Sequence, residues 1–260
     1  MEPVAEAAQS AKKKKFIVKS IFIAHAERIG WIRTLFGGFL QYVSVLEFIF
    51  LHLTTIIVLY KWILTPFFKL RKLRIRDFIL LDRHKIEGMC FFDKINCEFC
   101  GYANGTARIW NEEIDEVAAA DLRTRNPLKI LVAGVYTLCL LSFLVFTFIF
   151  SKILYLFISL FLGMHRASTK EIMKGLKDRD YAGRHGAVLR FIIRVTKVYA
   201  SSLALNLEQI ESSWCPLKHS EREGNVYSEH HDNFYPQDKL AEVVEVLGTV
   251  GTVSDKKPKY

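Results

Sequence analysis

The chain has 260 residues, of which 51% are apolar, 24% are charged and 13% are aromatic, and its formal net charge is +9. So high an apolar and aromatic content excludes a chain that is disordered throughout. The composition also excludes collagen, coiled coils and disulfide-dense secreted scaffolds. A chain that is both very apolar and well charged indicates apolar segments alternating with polar ones. This pattern is typical of a membrane protein with soluble parts.

The N-terminal region, residues 1–34, is predicted to be a basic tail or an interfacial helix. Four consecutive lysines end at Lys15, and the stretch from Phe16 to Trp31 that follows mixes isoleucines with charged residues. A signal peptide would continue from the lysines into an uninterrupted apolar core, so we reject that reading. A solvated, flexible tail is the alternative to the interfacial helix.

Two long apolar blocks follow, at residues 35–68 and 128–164, and Asn126-Pro127 opens the second of them. A membrane-spanning helix takes about 20 residues, so each block is longer than one crossing needs. Lys and Arg, which accumulate on the cytoplasmic side, flank both blocks at both ends. We therefore predict that each block is a hairpin that returns to the side it entered. The alternative is one span per block, with the remainder lying along the membrane surface.

The remaining segments are predicted to be polar and cytoplasmic. They are a CxxC region at residues 69–127, an amphipathic helix with a CPxxH motif at residues 165–219, and a polar C-terminal tail at residues 220–260. We predict a short strand at Phe78–Leu81, a helix over Asn104–Leu122, an amphipathic helix over Val188–Trp214 and a short helix over Leu240–Leu247.

Basic side chains next to the apolar blocks indicate contact with anionic lipid headgroups rather than with nucleic acid. One group is the run Lys69–Arg76, and the other consists of Arg190, Arg194 and Lys197 in the amphipathic helix. The lipid bilayer and its anionic headgroups are therefore predicted partners.

The strongest chemical signal is Cys97-Glu98-Phe99-Cys100-Gly101, together with Cys215-Pro216-Leu217-Lys218-His219. A CxxC pair can hold a metal from a tight turn, which the following glycine permits. Cys215 and His219 are four residues apart, as ligands on one helical face would be. We predict a Cys3His zinc site made of Cys97, Cys100, Cys215 and His219, with iron as the alternative metal.

Other interpretations of these residues stay open. Cys97 and Cys100 could form a redox disulfide, although no thioredoxin-like pattern surrounds them, and His219 could be a surface histidine. Cys139 is expected to be a packing residue within the second apolar block. The reserve ligands are Cys90, His84, His185, His230 and His231. The Asp82-Arg83-His84 triplet could orient a metal ligand through a hydrogen bond, or be an ordinary polar edge.

Three motifs in order resemble a largely uncharacterised family of bacterial membrane proteins. The segment Arg76–Ile86 resembles its IDRHR-like motif, CEFCGYANG its CxYCGYANG-like motif, and WCPLKH its WCPIKH-like motif. The resemblance covers roughly residues 50–115 and 208–220. In many relatives the third motif follows the second closely, whereas here the second apolar block intervenes. The resemblance implies kinship and a bacterial inner membrane, but no activity.

The sequence as a whole predicts a mainly α-helical integral membrane protein with a small cytoplasmic subdomain held together by a metal. We expect a non-catalytic, zinc-binding structural or adaptor subunit of a membrane assembly, with a membrane-protein partner. A membrane-bound metalloenzyme or an iron redox protein is the alternative. Since one metal cannot join residues on opposite sides of a bilayer, the second block must cross an even number of times or lie in the interface.

Overall fold

The computed structural model describes residues 20–120, 122, 124–162, 187–220, 223–227 and 231–249. Within this part of the chain the protein is mainly helical, as the sequence predicts, and it contains no strand. The four-lysine run, the charged stretch after Gly163, His185 and His230 lie outside the described residues.

The first helix, α1 (Ile21–Ile29), is held by contacts with distant residues. Its first two backbone N–H groups, of Ile21 and Phe22, donate to the Asp93 carboxylate at 2.9 and 3.0 Å. A carboxylate at this position satisfies N–H groups that lack partners within the helix. The imidazole of His25 stacks on Trp214 with a ring distance of 4.2 Å, and its Nε2 lies 3.0 Å from the Trp214 carbonyl. The predicted helix near the N-terminus is therefore present, with one face buried against protein.

The first apolar block forms one helical run from Trp31 to Phe68. It consists of α2 (Trp31–Val43), α3 (Val45–Leu51), a π-helix (His52–Leu64) and α4 (Thr65–Phe68). The second block forms α7 (Pro127–Leu162), whose N-terminus is capped by the Asn126 side chain at 2.9 Å from the Leu128 N–H. Trp31–Phe68 and Pro127–Phe146 are both long and apolar enough to cross a membrane.

Neither block is a hairpin, so that prediction is wrong. The cations on both flanks suggested a return, but the midpoints of the blocks contain no glycine or proline that would turn the chain. Apolar residues without a turn signal keep the helical backbone hydrogen-bonded throughout. Each block is therefore a single long helix. A metal site shared by the segments before and after α7 then requires that α7 lie in the membrane interface without crossing.

In the sequence, the two apolar helices are separated by α6 (Phe91–Ala119), the central polar helix of the fold. It begins much earlier than Asn104, because Cys90 caps it: its Sγ lies 3.5 Å from the Asp93 N–H. The CxxC motif and Gly101 lie inside this helix and not in a turn, so the prediction of a metal-binding turn is wrong. The two glycines on the buried face of α6, Gly101 and Gly105, allow another segment to pack closely on the helix.

Two glycines of α6 let an extended segment approach the helix backbone. The chain forms the short helix α5 (Ile75–Phe78), continues extended, and reaches a 3-10 turn at Arg83–Lys85. A Cβ atom on Gly105 would lie 2.6 Å from the Phe78 carbonyl oxygen, and one on Gly101 would overlap the Leu80 carbonyl. The predicted strand is thus an extended segment packed on a helix, without a strand partner in the described structure.

The helix α8 (Ala187–Trp214) runs antiparallel to α6. Near its start Lys197 pairs with Asp115 at 2.6 Å, and near its end Glu211 accepts a hydrogen bond from Asn104 at 2.7 Å. The amphipathic helix is therefore where the sequence predicts it. Lys197 is buried in this pair, so the prediction that it faces lipid headgroups is wrong.

The two apolar helices lie side by side and antiparallel. Phe50 stacks on Phe143 with a ring distance of 5.6 Å, and the Lys129 ammonium lies 5.8 Å from the Phe68 ring centre. Trp110 of α6 packs edge-on against Phe143 and against Tyr199 of α8, each at 5.6 Å. The main core thus joins one side of the apolar helices to α6 and α8. A final helix, α9 (Leu240–Thr249), packs on α1.

We expect Gly105→Ala to destabilise the protein by about 1–3 kcal/mol, because the added methyl group overlaps the Phe78–Ile79 backbone. Gly134→Ala in α7 is the matched control, because nothing lies within 4 Å of its Cβ position. There alanine should be neutral or stabilising by up to about 1 kcal/mol. Thermal unfolding of the purified protein in detergent measures both, and equal effects would contradict the close packing.

Candidate metal centre

The three sequence motifs meet at one end of the helical assembly. On α6, Cys97, Cys100 and Asn104 recur every three or four residues and so share one helix face. The chain after α8 brings Cys215 and His219 to this face. The extended segment that packs on Gly101 and Gly105 brings Asp82 and Arg83 to the same place. All four predicted metal ligands are buried here.

The closest pair of predicted ligands is Cys97 and Cys215, whose sulfur atoms lie 3.6 Å apart. Two sulfurs bound tetrahedrally to zinc, each at about 2.3 Å, are about 3.8 Å apart. The observed spacing therefore fits a shared zinc ion. It equally fits a hydrogen bond from the Cys97 thiol to the Cys215 sulfur in the absence of metal.

His219 is oriented by the Asp82 carboxylate, 2.7 Å from its Nδ1. When Nδ1 carries the proton and donates to Asp82, the lone pair of a neutral ring lies on Nε2. That atom is buried, makes no hydrogen bond, and lies 3.5 Å from the Glu211 carboxylate. A lone pair directed at a carboxylate is unfavourable unless a proton or another cation lies there. Metal-binding histidines are commonly oriented by a carboxylate in this way.

Arg83 and Glu211 form an ion pair that is almost completely inaccessible to solvent. Burial alone would raise the pKa of Glu211, but Arg83 and His219 outweigh burial and lower it to about 2. Burial would lower the pKa of Arg83, yet Glu211 and the three nearby cysteines raise it. Both side chains therefore stay charged. The other Glu211 oxygen accepts the hydrogen bond from Asn104.

The three thiols differ in their surroundings. Burial raises the pKa of Cys100 to about 12, and its Sγ accepts a hydrogen bond from Gln41 at 3.5 Å. The hydrogen bond to Cys215, together with burial, raises the pKa of Cys97. The same hydrogen bond and the Arg83 charge lower the pKa of Cys215. The hydrogen bond from the Cys97 thiol thus favours thiolate at Cys215 first, and the positive charge of Arg83 adds to the effect.

These residues converge without forming a complete coordination sphere. In the described part of the chain, no three His, Cys, Asp or Glu side chains are grouped to hold a metal ion as they stand. Cys97 and Cys215 are hydrogen-bonded to each other, whereas Cys100 is hydrogen-bonded to Gln41 and His219 to Asp82. The zinc site therefore stays a prediction.

The described reserve ligands serve other purposes. Cys90 caps α6, and His84 pairs with Glu98 at 2.6 Å on the surface. His231 accepts a hydrogen bond from the His219 N–H at 3.0 Å. Cys139 is exposed on α7, so the prediction that it is a packing residue is wrong.

Sequence reasoning missed Glu211, Asn104 and Gln41 as parts of this cluster. A signal for the first two was present. Glu211 lies four residues before Cys215, and Asn104 four residues after Cys100, so each shares a helical face with a predicted ligand. Gln41 gave no such signal, because it belongs to a different helix that only the tertiary structure brings close.

No protein family model matches the chain, and no curated protein or solved structure is significantly similar to it. The resemblance to bacterial membrane proteins with CxYCGYANG-like and WCPIKH-like motifs therefore stays a prediction.

We expect Arg83→Met to destabilise the protein by about 3–5 kcal/mol, because it leaves the Glu211 charge buried without its partner. The matched control is Arg71→Met, which removes an exposed pair with Glu116 at 2.8 Å. Pairs of that kind contribute about 0–1 kcal/mol. Thermal unfolding of the full chain in detergent compares the two variants. Similar small losses would contradict a dependence of the fold on the buried pair.

Proposed function

We propose that the protein is a membrane-anchored, zinc-binding structural subunit, with Cys97, Cys100, Cys215 and His219 as zinc ligands. One observation carries the proposal. The buried Cys97–Cys215 sulfur pair lies in the same cluster as His219, whose ring Asp82 orients and whose Nε2 lies 3.5 Å from the Glu211 carboxylate. To complete four ligands, Cys100 would have to leave its hydrogen bond with Gln41 and the His219 ring would have to turn from Glu211 toward the sulfur pair.

The burial of the four ligands favours a structural role over catalysis. Four protein ligands fill a tetrahedral zinc site, whereas a catalytic site keeps one position open for water or substrate. The zinc ion would link α6 to the chain after α8, and its binding free energy would stabilise that arrangement. The positive charge of Arg83, close to all three cysteines, would compensate the thiolates.

An iron redox protein is the second candidate, because iron binds the same cysteine ligands as zinc. Iron–thiolate sites absorb visible light, whereas zinc sites are colourless. A spectrum of the purified protein therefore separates the two metals before any mutation is made.

The proposed membrane anchor is the face of the two apolar helices that α6 and α8 leave uncovered. Large apolar side chains are exposed along this face, among them Ile32, Leu35, Phe39, Leu46, Leu53, Leu131, Leu138 and Val145. An exposed apolar surface of this extent marks contact with lipid or with another protein. The exposed cations between Lys69 and Arg76 would contact anionic headgroups.

The proposed adaptor role rests on the burial of the candidate metal site, and the proposed location on the resemblance to bacterial membrane proteins. A buried, closed metal site offers no chemistry to a substrate, so the surface is what the protein presents to a membrane-protein partner. We place the protein in a bacterial inner membrane, with the metal site on the cytoplasmic side, where reduced thiols are available to bind metal.

We expect the full chain, purified in detergent without chelators, to contain about one zinc ion per molecule by elemental analysis. Cys97→Ser and Cys215→Ser should each bring the zinc content near zero and lower the unfolding temperature, because a site with three remaining ligands binds far more weakly.

The control for zinc binding is Cys90→Ser, which replaces one N-cap of α6 by a residue that caps well. It should keep the zinc. A Cys97→Ser/Cys215→Ser double variant that is folded and retains full zinc content would refute the ligand assignment.

We expect Leu46→Asp and Leu138→Asp to reduce the fraction of protein that resists extraction from membranes by alkaline carbonate. A charge within the hydrocarbon costs about 2.5–3.5 kcal/mol. Leu81→Asp, at an exposed site outside the apolar helices, is the control and should have little effect. Full resistance of both apolar-helix variants would argue that this face contacts protein instead of lipid.

A further inference from the structure

Besides binding a metal, the thiols of Cys97 and Cys215 can be oxidised. We infer that a hydroperoxide oxidises these two thiols to a disulfide that joins α6 covalently to the chain after α8. The inference goes beyond the proposed zinc-binding function and does not require the zinc ion. It rests on which sulfur atoms the fold places together.

The geometry selects this pair of cysteines. Both are free thiols, and their sulfur atoms are 3.6 Å apart. A disulfide bond is about 2.05 Å long, so the atoms must approach by about 1.5 Å. Rotation about the Cα–Cβ bond of either residue moves its sulfur by that amount. Cys215 directly follows the last residue of α8.

The partner of Cys97 differs from the one that the CxxC spacing suggests. In a redox CxxC motif the disulfide joins the two cysteines of the motif, here Cys97 and Cys100. In the fold, the Cys100 sulfur accepts a hydrogen bond from Gln41 of α2, while Cys97 contacts Cys215. The structure therefore favours a long-range cross-link over a local one.

The reaction balances with hydrogen peroxide as the oxidant. The sulfur of one cysteine, as thiolate, attacks a peroxide oxygen, the O–O bond breaks, and a sulfenic acid and one water form. The second sulfur then attacks the sulfenic sulfur, the S–O bond breaks, and another water leaves. Two thiols lose two electrons and two protons, and one peroxide becomes two waters.

The disulfide and a zinc ion could not occupy Cys97 and Cys215 at the same time. Both cysteines are proposed zinc ligands, and a disulfide sulfur is not a thiolate ligand. Oxidation would then exchange one link between α6 and the chain after α8 for another, and release the ion. The protein would respond to peroxide by changing its metal content while keeping these two segments joined.

Burial predicts the relative rate of the reaction. The side chains of Cys97 and Cys215 are almost completely buried, whereas Cys90 is half-buried and Cys139 is exposed. Peroxide must therefore reach the pair through a local opening of the fold. We expect the pair to react more slowly than Cys139, but to give an intramolecular disulfide rather than higher oxides.

The test uses the full chain, folded in detergent and treated with hydrogen peroxide. The remaining thiols are alkylated under denaturing conditions, the protein is digested, and linked peptides are identified by mass spectrometry. The expected product joins Cys97 to Cys215. A Cys97–Cys100 link, any other pairing of these cysteines, or two free thiols after treatment continued long past the complete oxidation of Cys139 would overturn the inference.

Two further measurements separate this inference from the zinc proposal. Cys100→Ser keeps both sulfurs of the pair, so a folded variant should still form the link, and failure of that variant to link would count against the geometry. Zinc released during oxidation is followed with a chromogenic chelator. A protein that contains no zinc but forms the link would refute the zinc site and leave the disulfide standing.

Discussion

The buried ion pair between Arg83 and Glu211 is the interaction on which the candidate site depends. It joins the segment before α6 to the last turn of α8, across the face of α6 that carries Asn104. Removing two charges from water costs several kcal/mol for each ion, so the pair is favourable only when the two charges lie close together. That requirement fixes Glu211 opposite His219 and holds the Arg83 charge next to the cysteines. The positions of the proposed ligands follow from it.

The ion pair in turn requires the close approach that two glycines permit. Without the bare backbone at Gly101 and Gly105, the segment that carries Asp82 and Arg83 would lie farther from α6. The CGYANG motif thus combines one cysteine, two points of close contact and one amide donor on a single helix face. Gly101 and Gly105 allow this close packing. Because they set how near the segment with Asp82 comes to α6, they also affect the distance between Asp82 and His219.

The two apolar helices have different environments on their two sides. One side packs on α6 and α8 through Trp110, Phe143 and Tyr199, and the other exposes large apolar side chains. The polar helix α6 therefore lies alongside the two apolar helices and not beyond their ends. The Gln41–Cys100 hydrogen bond shows the consequence, because it places the sulfur cluster beside the first apolar helix and not in a separate soluble subdomain.

The sequence by itself determined the helical class, the two apolar helices and the amphipathic helix from Val188, whereas a metal site of Cys97, Cys100, Cys215 and His219 stays a prediction. Periodicity, length and motif order are local properties, so they can be read from the chain. The predicted hairpins, the metal-binding turn, the strand at Phe78–Leu81 and the surface position of Lys197 were wrong. The hairpins failed because the midpoints of the blocks contain no glycine or proline. The other three depend on what lies opposite in space, such as a glycine that admits a backbone or Asp115 that buries a lysine. Only the tertiary structure decided that Glu211 joins the site and that Cys97 contacts Cys215, because those contacts join residues more than a hundred positions apart.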